Sequence, residues 1–525
     1  MRNFQLPGRS AAYAQSALVA TSCPLATLAA LDVLRAGGNA ADAAVTASAV
    51  LCVVEPAMTG IGGDCFVLAG LPDGKVEGLN GSGRASRRAD ADWLKRSGLT
   101  EIAERGIHSV TVPGAIDAWD ALLKRHGTMT LGECLAPAIA LAEAGVPVTP
   151  RVAYDWPDAE ALLAADEGGR IHFLKDGRSP RVGEIMAYPA LAKTLRLIAR
   201  EGRDAFYEGA IAEEAVAHLA KRGSLLTKED FAATRSDWVK PVSTAFAGSE
   251  ILEIPPNGQG LTALVALNIC TALNIGTYDA ASPERHHIEI EAMKLAWKVR
   301  NRHIADPAFA EVPVAELLSH KTTEKLAAQV DMNHASPISP QMEQSDTIYL
   351  SVVDRNRLAI SFINSVYDSF GSCIVLPKAG FALQNRGACF VTDPRHPNCI
   401  GPGKRPLHTI IPGMARKNGK VTASFGVMGG DYQPMGHMTV MVNHLVYGMD
   451  PQEAIDWPRY LPMDGKVTLE QGAPQTVRAG LAARGHDLVP AERPLGGGQA
   501  VMIDAASGML TGGSDGRKDG IALGY

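Results

Sequence analysis

The eight cysteines, Cys23, Cys52, Cys65, Cys134, Cys270, Cys373, Cys389 and Cys399, include no C-x-x-C pair, which excludes a zinc ribbon or a dithiol redox centre. Scattered in this way they read as reduced, mostly buried thiols. No H-E-x-x-H or similar ligand spacing occurs, and the adjacent His286 and His287 point to different sides of one helix, so no metal is expected. There is no G-x-x-x-x-G-K-[ST] loop, and the glycine pairs lack the strand, helix and distal acid of a dinucleotide site; no cofactor is expected. Charge is also scarce. With 20% charged residues, a net charge of -6 and a pI near 6.2, the chain has no basic stripe to track a phosphate backbone, and nucleic acid is not an expected partner. The first twenty residues lack an unbroken apolar core, and the apolar stretch that follows carries Asp32 and Arg35. Neither a secretory signal nor a membrane span is expected, and the cytoplasm is the expected compartment.

What is present is a long chain with two textures. Its 525 residues exceed the size at which one simple core stops growing, so two domains or one large layered domain is expected. Ser22 and Pro24 open a predicted helix stopped by Gly37-Gly38, and Asn39 starts a second, Ala40 to Val54, whose only charge is Asp42. Gly60-Ile61-Gly62-Gly63 then turns into a strand at Cys65 to Leu68. Helices are predicted at Leu191 to Arg200, Ile211 to Arg222 and Glu284 to Arg302, and helices dominate before residue 330. After Thr347 the period changes to two, with strands at Thr347 to Val353, Leu358 to Ile363, Gly380 to Gln384 and Lys420 to Gly426.

Between the textures lies a polar seam, Met332 to Asp346, without apolar period and with two prolines; a loop of this kind is usually functional or cleavable. Scission between Asp346 and Thr347 would place a hydroxyl and a free α-amine on one residue. That amine, with an ordinary pKa of roughly 7.7 to 8.0, can accept the hydroxyl proton near neutral pH, so nucleophile and base coincide. Ser365, at the end of the second strand of a hairpin, returns near Thr347. Gly429-Gly430, after the apolar run Ala423 to Met428, can aim two backbone N–H groups at an oxyanion, each worth roughly 2.7 to 4 kcal/mol in a dry site. Taken singly, each of these is an ordinary strand start, strand end or turn. The competing Gly512-Gly513-Ser514-Asp515-Gly516 matches a serine-hydrolase elbow, but the last histidine, His486, precedes it, and it reads as a terminal turn.

At these residues the chain resembles the gamma-glutamyltranspeptidase family of self-processing N-terminal nucleophile hydrolases. The likeness runs from about Val19 to Tyr525 through Arg35-Ala36-Gly37-Gly38-Asn39-Ala40-Ala41-Asp42, Gly60-Ile61-Gly62-Gly63-Asp64, Val112-Pro113-Gly114, Asp346-Thr347, Phe370-Gly371, Gly403-Lys404-Arg405-Pro406-Leu407, Gly429-Gly430 and Gly524-Tyr525. It implies an α+β fold, a four-layer αββα sandwich, in which pieces 1 to 346 and 347 to 525 remain associated as large and small subunits of one domain. Pairing of two such heterodimers is a further expectation. Thr347 is then the nucleophile of self-cleavage and catalysis, Ser365 its support, and Gly429 and Gly430 the oxyanion hole.

Departures from the family pattern bear on the substrate. Ser82 stands where a transpeptidase has an arginine for the α-carboxylate of glutamate, with Arg84 two residues on; Tyr367 replaces an asparagine, Cys389 an acid, and His408-Thr409 a serine pair. Charge-assisted hydrogen bonds contribute roughly 1.5 to 3 kcal/mol each, so a γ-glutamyl donor is disfavoured. Gln384-Asn385-Arg386-Gly387 instead puts a guanidinium where the family has a neutral glutamine, suited to a small carboxylate. Together with Tyr367, Asn385, Thr409 and the Phe370-Gly371-Ser372 segment, this resembles the oxamate amidohydrolase branch. The expected function is hydrolysis of a small carboxylate-bearing amide, with γ-glutamyl transfer or hydrolysis, acylase activity, or an uncut binding protein as the alternatives. The bland reading of Arg386 is a structural ion pair, with Asp393 as partner, and that of His408 a satisfied buried histidine.

Overall fold

A computed structural model describes residues 8–338 and 346–525, with Asp346 described by its backbone alone; residues 339–345 of the seam and the first seven residues lie outside the described set. The alternating run after the seam forms one arm of an antiparallel hairpin, Asp346–Val353 against Ala359–Tyr367. Ile348 pairs with Asn364 and Val353 with Ala359, yet Asp346 faces Tyr367, so Thr347 lies opposite both Ser365 and Val366. This bulge, which bends the second strand, falls where Ser365 meets Thr347.

The hairpin occupies the middle of a seven-stranded sheet in the order Ile521–Gly524, Leu18–Thr21, Asp346–Val353, Ala359–Tyr367, Asp64–Gly70, Val76–Gly81, Asp237–Val239. A second seven-stranded sheet runs Ala12–Ala14, Leu510–Ser514, Gly497–Ile503, Lys420–Met428, Gly413–Lys417, Ser249–Glu253, Val242–Phe246. The sheets meet face to face through a core that includes Phe66, Leu68, Tyr349, Ile363, Met414 and Val501. Helices Pro24–Arg35, Ala40–Val54 and Ala115–His126 cover the outer face of the first sheet, and Gly260–Ala272, Pro283–His303 and Gln433–Met441 that of the second. The architecture is the four-layer αββα sandwich. Both sheets contain strands from before and from after residue 346.

Local chemistry explains the best-placed helix. All 15 residues of Ala40–Val54 are buried, and Asn39 and Asp42 form a reciprocal capping box. The one charge is satisfied: Asp42 accepts from Asn39 N, Thr128 N and Oγ1, and Met129 N. Other expectations are corrected. Ser22 does not cap the first helix, whose N-cap is Cys23 without a side-chain bond. The predicted strand Gly380 to Gln384 is a loop with one isolated bridge, between Val375 and Ala382; Gly380 has φ +76°, which breaks the extended run, and all five residues are buried, Phe381, Ala382 and Leu383 in the core. Ser514 ends the strand Leu510–Ser514, second from the edge of its sheet, and is not in a turn, its N–H donating to Gln452 Oε1. The part before residue 330 also supplies seven of the strands named above. No helix among the described residues is long and apolar enough to cross a membrane.

Candidate active site

Thr347 is fully buried, and its Oγ1 donates to Ser365 Oγ at 3.1 Å. Ser365 Oγ also accepts the N–H of Tyr367 at 2.9 Å and lies 3.4 Å from Arg386 Nη2. Arg386 donates through Nη1 to Thr409 Oγ1 at 2.7 Å and stacks over the Tyr367 ring at 4.1 Å. Tyr367 is held at φ +82°, and Phe370, Gly371 and Cys373 follow at φ +56°, +57° and +57°. Such concentrated left-handed backbone costs of order 1–3 kcal/mol per non-glycine residue, and it turns the chain back beneath the guanidinium. The expected ion pair to Asp393 is absent: Asp393 pairs with Arg395 at 2.9 Å on the surface. Among the described residues no carboxylate pairs with Arg386, which is 0% exposed, and its Nε has no hydrogen-bond partner.

The second half of the site is the loop after Lys420–Met428. Gly429 and Gly430 have φ +119° and +58°, conformations that favour glycine. Among the described residues neither N–H is used in a hydrogen bond. The loop is braced by Gln259, whose Nε2 donates to the carbonyls of Gly430 at 3.0 Å and Thr409 at 2.7 Å, while its Oε1 accepts from Arg300 at 2.8 Å. Arg300 in turn pairs with Asp431. Thr347 and Gly429 line one cavity of about 160 Å³.

A family model for Gamma-glutamyltranspeptidase matches residues 26–525. The chain belongs to this family. It is 38% identical over 516 residues to the glutathione hydrolase-like YwrD proenzyme of Bacillus subtilis, covering 95% of this chain and 97% of the relative. It is 35% identical over 515 residues to the oxamate amidohydrolase proenzyme of Klebsiella pneumoniae, again covering 95% and 97%. Its fold is similar to the crystal structure of cephalosporin acylase from Bacillus halodurans, with a TM-score of 0.93, 40% identity, and coverage of 100% of this chain and 99% of that one. As a gamma-glutamyltranspeptidase family member the chain is a hydrolase of amide bonds.

Measured against the family pattern, the remaining candidates sit around the site in different ways. Ser82 is buried, with its Oγ accepting from Asn257 Nδ2 at 3.1 Å, and it does not line the Thr347 cavity. Arg84 turns toward Asp237 and Asp306, at 3.5 and 3.7 Å. Asn385 braces the loop, donating to Asp368 Oδ2 and to the Glu104 carbonyl at 2.5 and 2.7 Å. His408 donates from Nε2 to Asp64 Oδ2 at 2.9 Å and accepts the Ile410 N–H at Nδ1, so both ring nitrogens are occupied. Asp64 also accepts from the N–H groups of Gly83 and Gly114 and from Gln384 Nε2.

Burial, with Arg386 adding to it, pushes the His408 imidazole down to about 3, and the donor–acceptor pattern fits a neutral ring better than an ion pair with Asp64. The unfolded histidine takes up a proton near its ordinary 6.5, whereas the folded one does not until about 3. Stability present above pH 6.5 is therefore lost as pH falls through this window, by up to about 1.4 kcal/mol per pH unit. We expect the melting temperature of the wild type, measured relative to His408→Gln, to drop from pH 6.5 to 4; a constant difference would mean that His408 is charged in the fold.

Four groups escaped the sequence reading: Asp64, Gln259, and the facing carboxyls of Asp368 and Glu104, which also line the Thr347 cavity. The strong motif Gly62-Gly63-Asp64 was the one available signal. Elsewhere, His287 meets His486 at 2.8 Å, with Glu291 close by, a donor set for a metal that histidine spacing did not suggest. There Lys294 already places its ammonium 2.8 Å from Glu291. The cysteines form no disulfide, and seven of the eight are buried.

Proposed function

We propose that this protein is a self-processing threonine amidohydrolase acting on a small carboxylate-bearing amide of the oxamate type. Thr347 Oγ1 attacks the Asp346 carbonyl, the C–N bond to Thr347 breaks as the acyl group shifts to oxygen, and water hydrolyses the ester. The chain is thereby divided into subunits 1–346 and 347–525, which stay together because both contribute strands to each sheet. The new α-amine takes the hydroxyl proton in each later turnover and gives it to the leaving nitrogen. The Gly429 and Gly430 N–H groups receive the oxyanion, and water resolves the acyl-enzyme. Eight cysteines without a disulfide among them support a cytoplasmic setting.

The observation that carries the substrate reading is Arg386. A buried guanidinium without an anion is costly, and this one stands one hydroxyl away from the nucleophile, at Ser365. A carboxylate adjacent to the scissile carbonyl spans that short distance, as in oxamate, and Tyr367 and Thr409 fix the guanidinium plane to receive it. We expect the wild type to release ammonia from oxamate. Arg386→Gln should still self-cleave but lose roughly 10²-fold in kcat/KM, the worth of one or two charge-assisted bonds. Equal turnover by the variant would remove Arg386 from substrate binding. A second reading, γ-glutamyl hydrolysis or transfer, is favoured by the 38% identical relative named glutathione hydrolase-like; it predicts rapid turnover of a γ-glutamyl anilide and acceleration by dipeptides.

A further inference from the structure

The two walls of the Thr347 cavity differ in how their charges are balanced. On one, Arg151 pairs with Asp155 at 2.6 Å, Arg493 pairs with Asp158, and Lys518 lies 3.9 Å from Asp155. Three cations there share two carboxylates, so every acid on that wall is paired. On the other, Asp368 and Glu104 face each other, and among the described residues neither forms an ion pair. Arg105 lines the same cavity and favours the ionised form of Asp368, but it spends Nη1 on the carbonyls of Ser369 and Gly371 and on Cys373 Sγ. Asn385 holds Asp368 in place through Oδ2. On the same wall Ser369, only 5% exposed, has a hydroxyl with no hydrogen-bond partner among the described residues. Leaving such a group unpaired costs about 1–3 kcal/mol, so the Ser369 hydroxyl, beside two carboxyls that share a hydrogen bond, is open to a ligand with N–H groups to offer.

Depth assigns this wall to one end of the substrate. Arg386 is fully enclosed behind Ser365, whereas Glu104 is exposed at the cavity mouth. We infer that Asp368, Glu104 and Ser369 form an ammonium subsite on the leaving-group side of Thr347, which favours amides that release ammonia or a cationic amine and disfavours leaving amines that bear a carboxylate. The inference rests on the proposed reading in taking the Arg386 side as the acyl side. Burial, and then the neighbouring Glu104, raise the Asp368 carboxyl to about 8. At neutral pH the pair therefore holds a proton that a bound cation replaces, and cation affinity rises roughly tenfold per pH unit up to about 8.

The test is calorimetric titration of the purified wild-type enzyme with methylammonium chloride from pH 6 to 8. Sodium chloride and tetramethylammonium chloride serve as controls for ionic strength and for a cation without N–H donors. Expected are saturable methylammonium binding that strengthens with pH, weakening of at least tenfold in Asp368→Asn and in the surface-exposed variant Glu104→Gln, and no comparable binding of either control salt. Unchanged binding in both variants, absence of pH dependence, or equal binding of tetramethylammonium would overturn the inference. Oxamate hydrolysis separates the two claims. Methylammonium binding through Asp368 without any oxamate turnover leaves the subsite standing and removes the substrate reading, and oxamate turnover without amine binding does the reverse.

Discussion

Thr347→Ala is expected to remain a single chain of 525 residues and to lose amide hydrolysis by a factor on the order of 10⁶. The size of the effect follows from one residue holding two roles. In the proposed mechanism its Oγ1, bonded to Ser365 at 3.1 Å, is the attacking atom, and the α-amine released by scission is the base. Alanine removes the first and, by preventing scission, withholds the second. Denaturing electrophoresis and an ammonia-release assay on the same preparation read both. Thr347→Ser keeps the hydroxyl and should still divide, more slowly. Full activity in the alanine variant would place the chemistry on another residue.

Gly429→Ala should lower kcat by roughly 10²- to 10³-fold, the cost of one misplaced oxyanion donor. A methyl group at this position would sit 2.9 Å from the Gly496 Cα, and φ +119° is a conformation that alanine rarely adopts, so the backbone must rotate and carry its N–H away from Thr347. Gly448→Ala provides the control. Gly448 also has positive φ, +66°, but nothing lies within 4 Å of the added carbon, so it reports backbone strain alone. A kcat loss in Gly429→Ala with unchanged KM and a melting temperature matching the control identifies a donor used in the transition state. Equal kcat in both variants would put the oxyanion elsewhere.

How much of this could be read in advance depended on the range of the interactions. The helix after Asn39 and the long helix Pro283–His303 were legible because cap and period are local. The meeting of Thr347 with Ser365 was legible for a similar reason: 18 residues and one hairpin separate them. The support beneath the site was not. Asp64 reaches His408 across 344 residues, and Gln259 reaches Gly430 across 171, and no pattern in either segment announces its partner. The loop from Asp368 to Cys389 misled in another way. Residues 380–384 are all buried, as a strand between two layers would be, but Gly380 at φ +76° begins a loop there. Arg386 was noticed from its position in a motif, but its lack of a counter-ion among the described residues is a property of three-dimensional packing alone. Ser82 and Arg84, matched to the family's carboxylate-binding arginine by position, turn toward Asn257 and toward Asp237 and Asp306.

Intact-mass analysis of the purified wild-type protein, before and after brief incubation with oxamate, bears most directly on self-scission. The account predicts two fragments whose junction lies between Asp346 and Thr347, with any trapped acyl adduct on the fragment that begins at Thr347. An undivided chain that nonetheless turns over an amide, or a junction at any other bond, would contradict it.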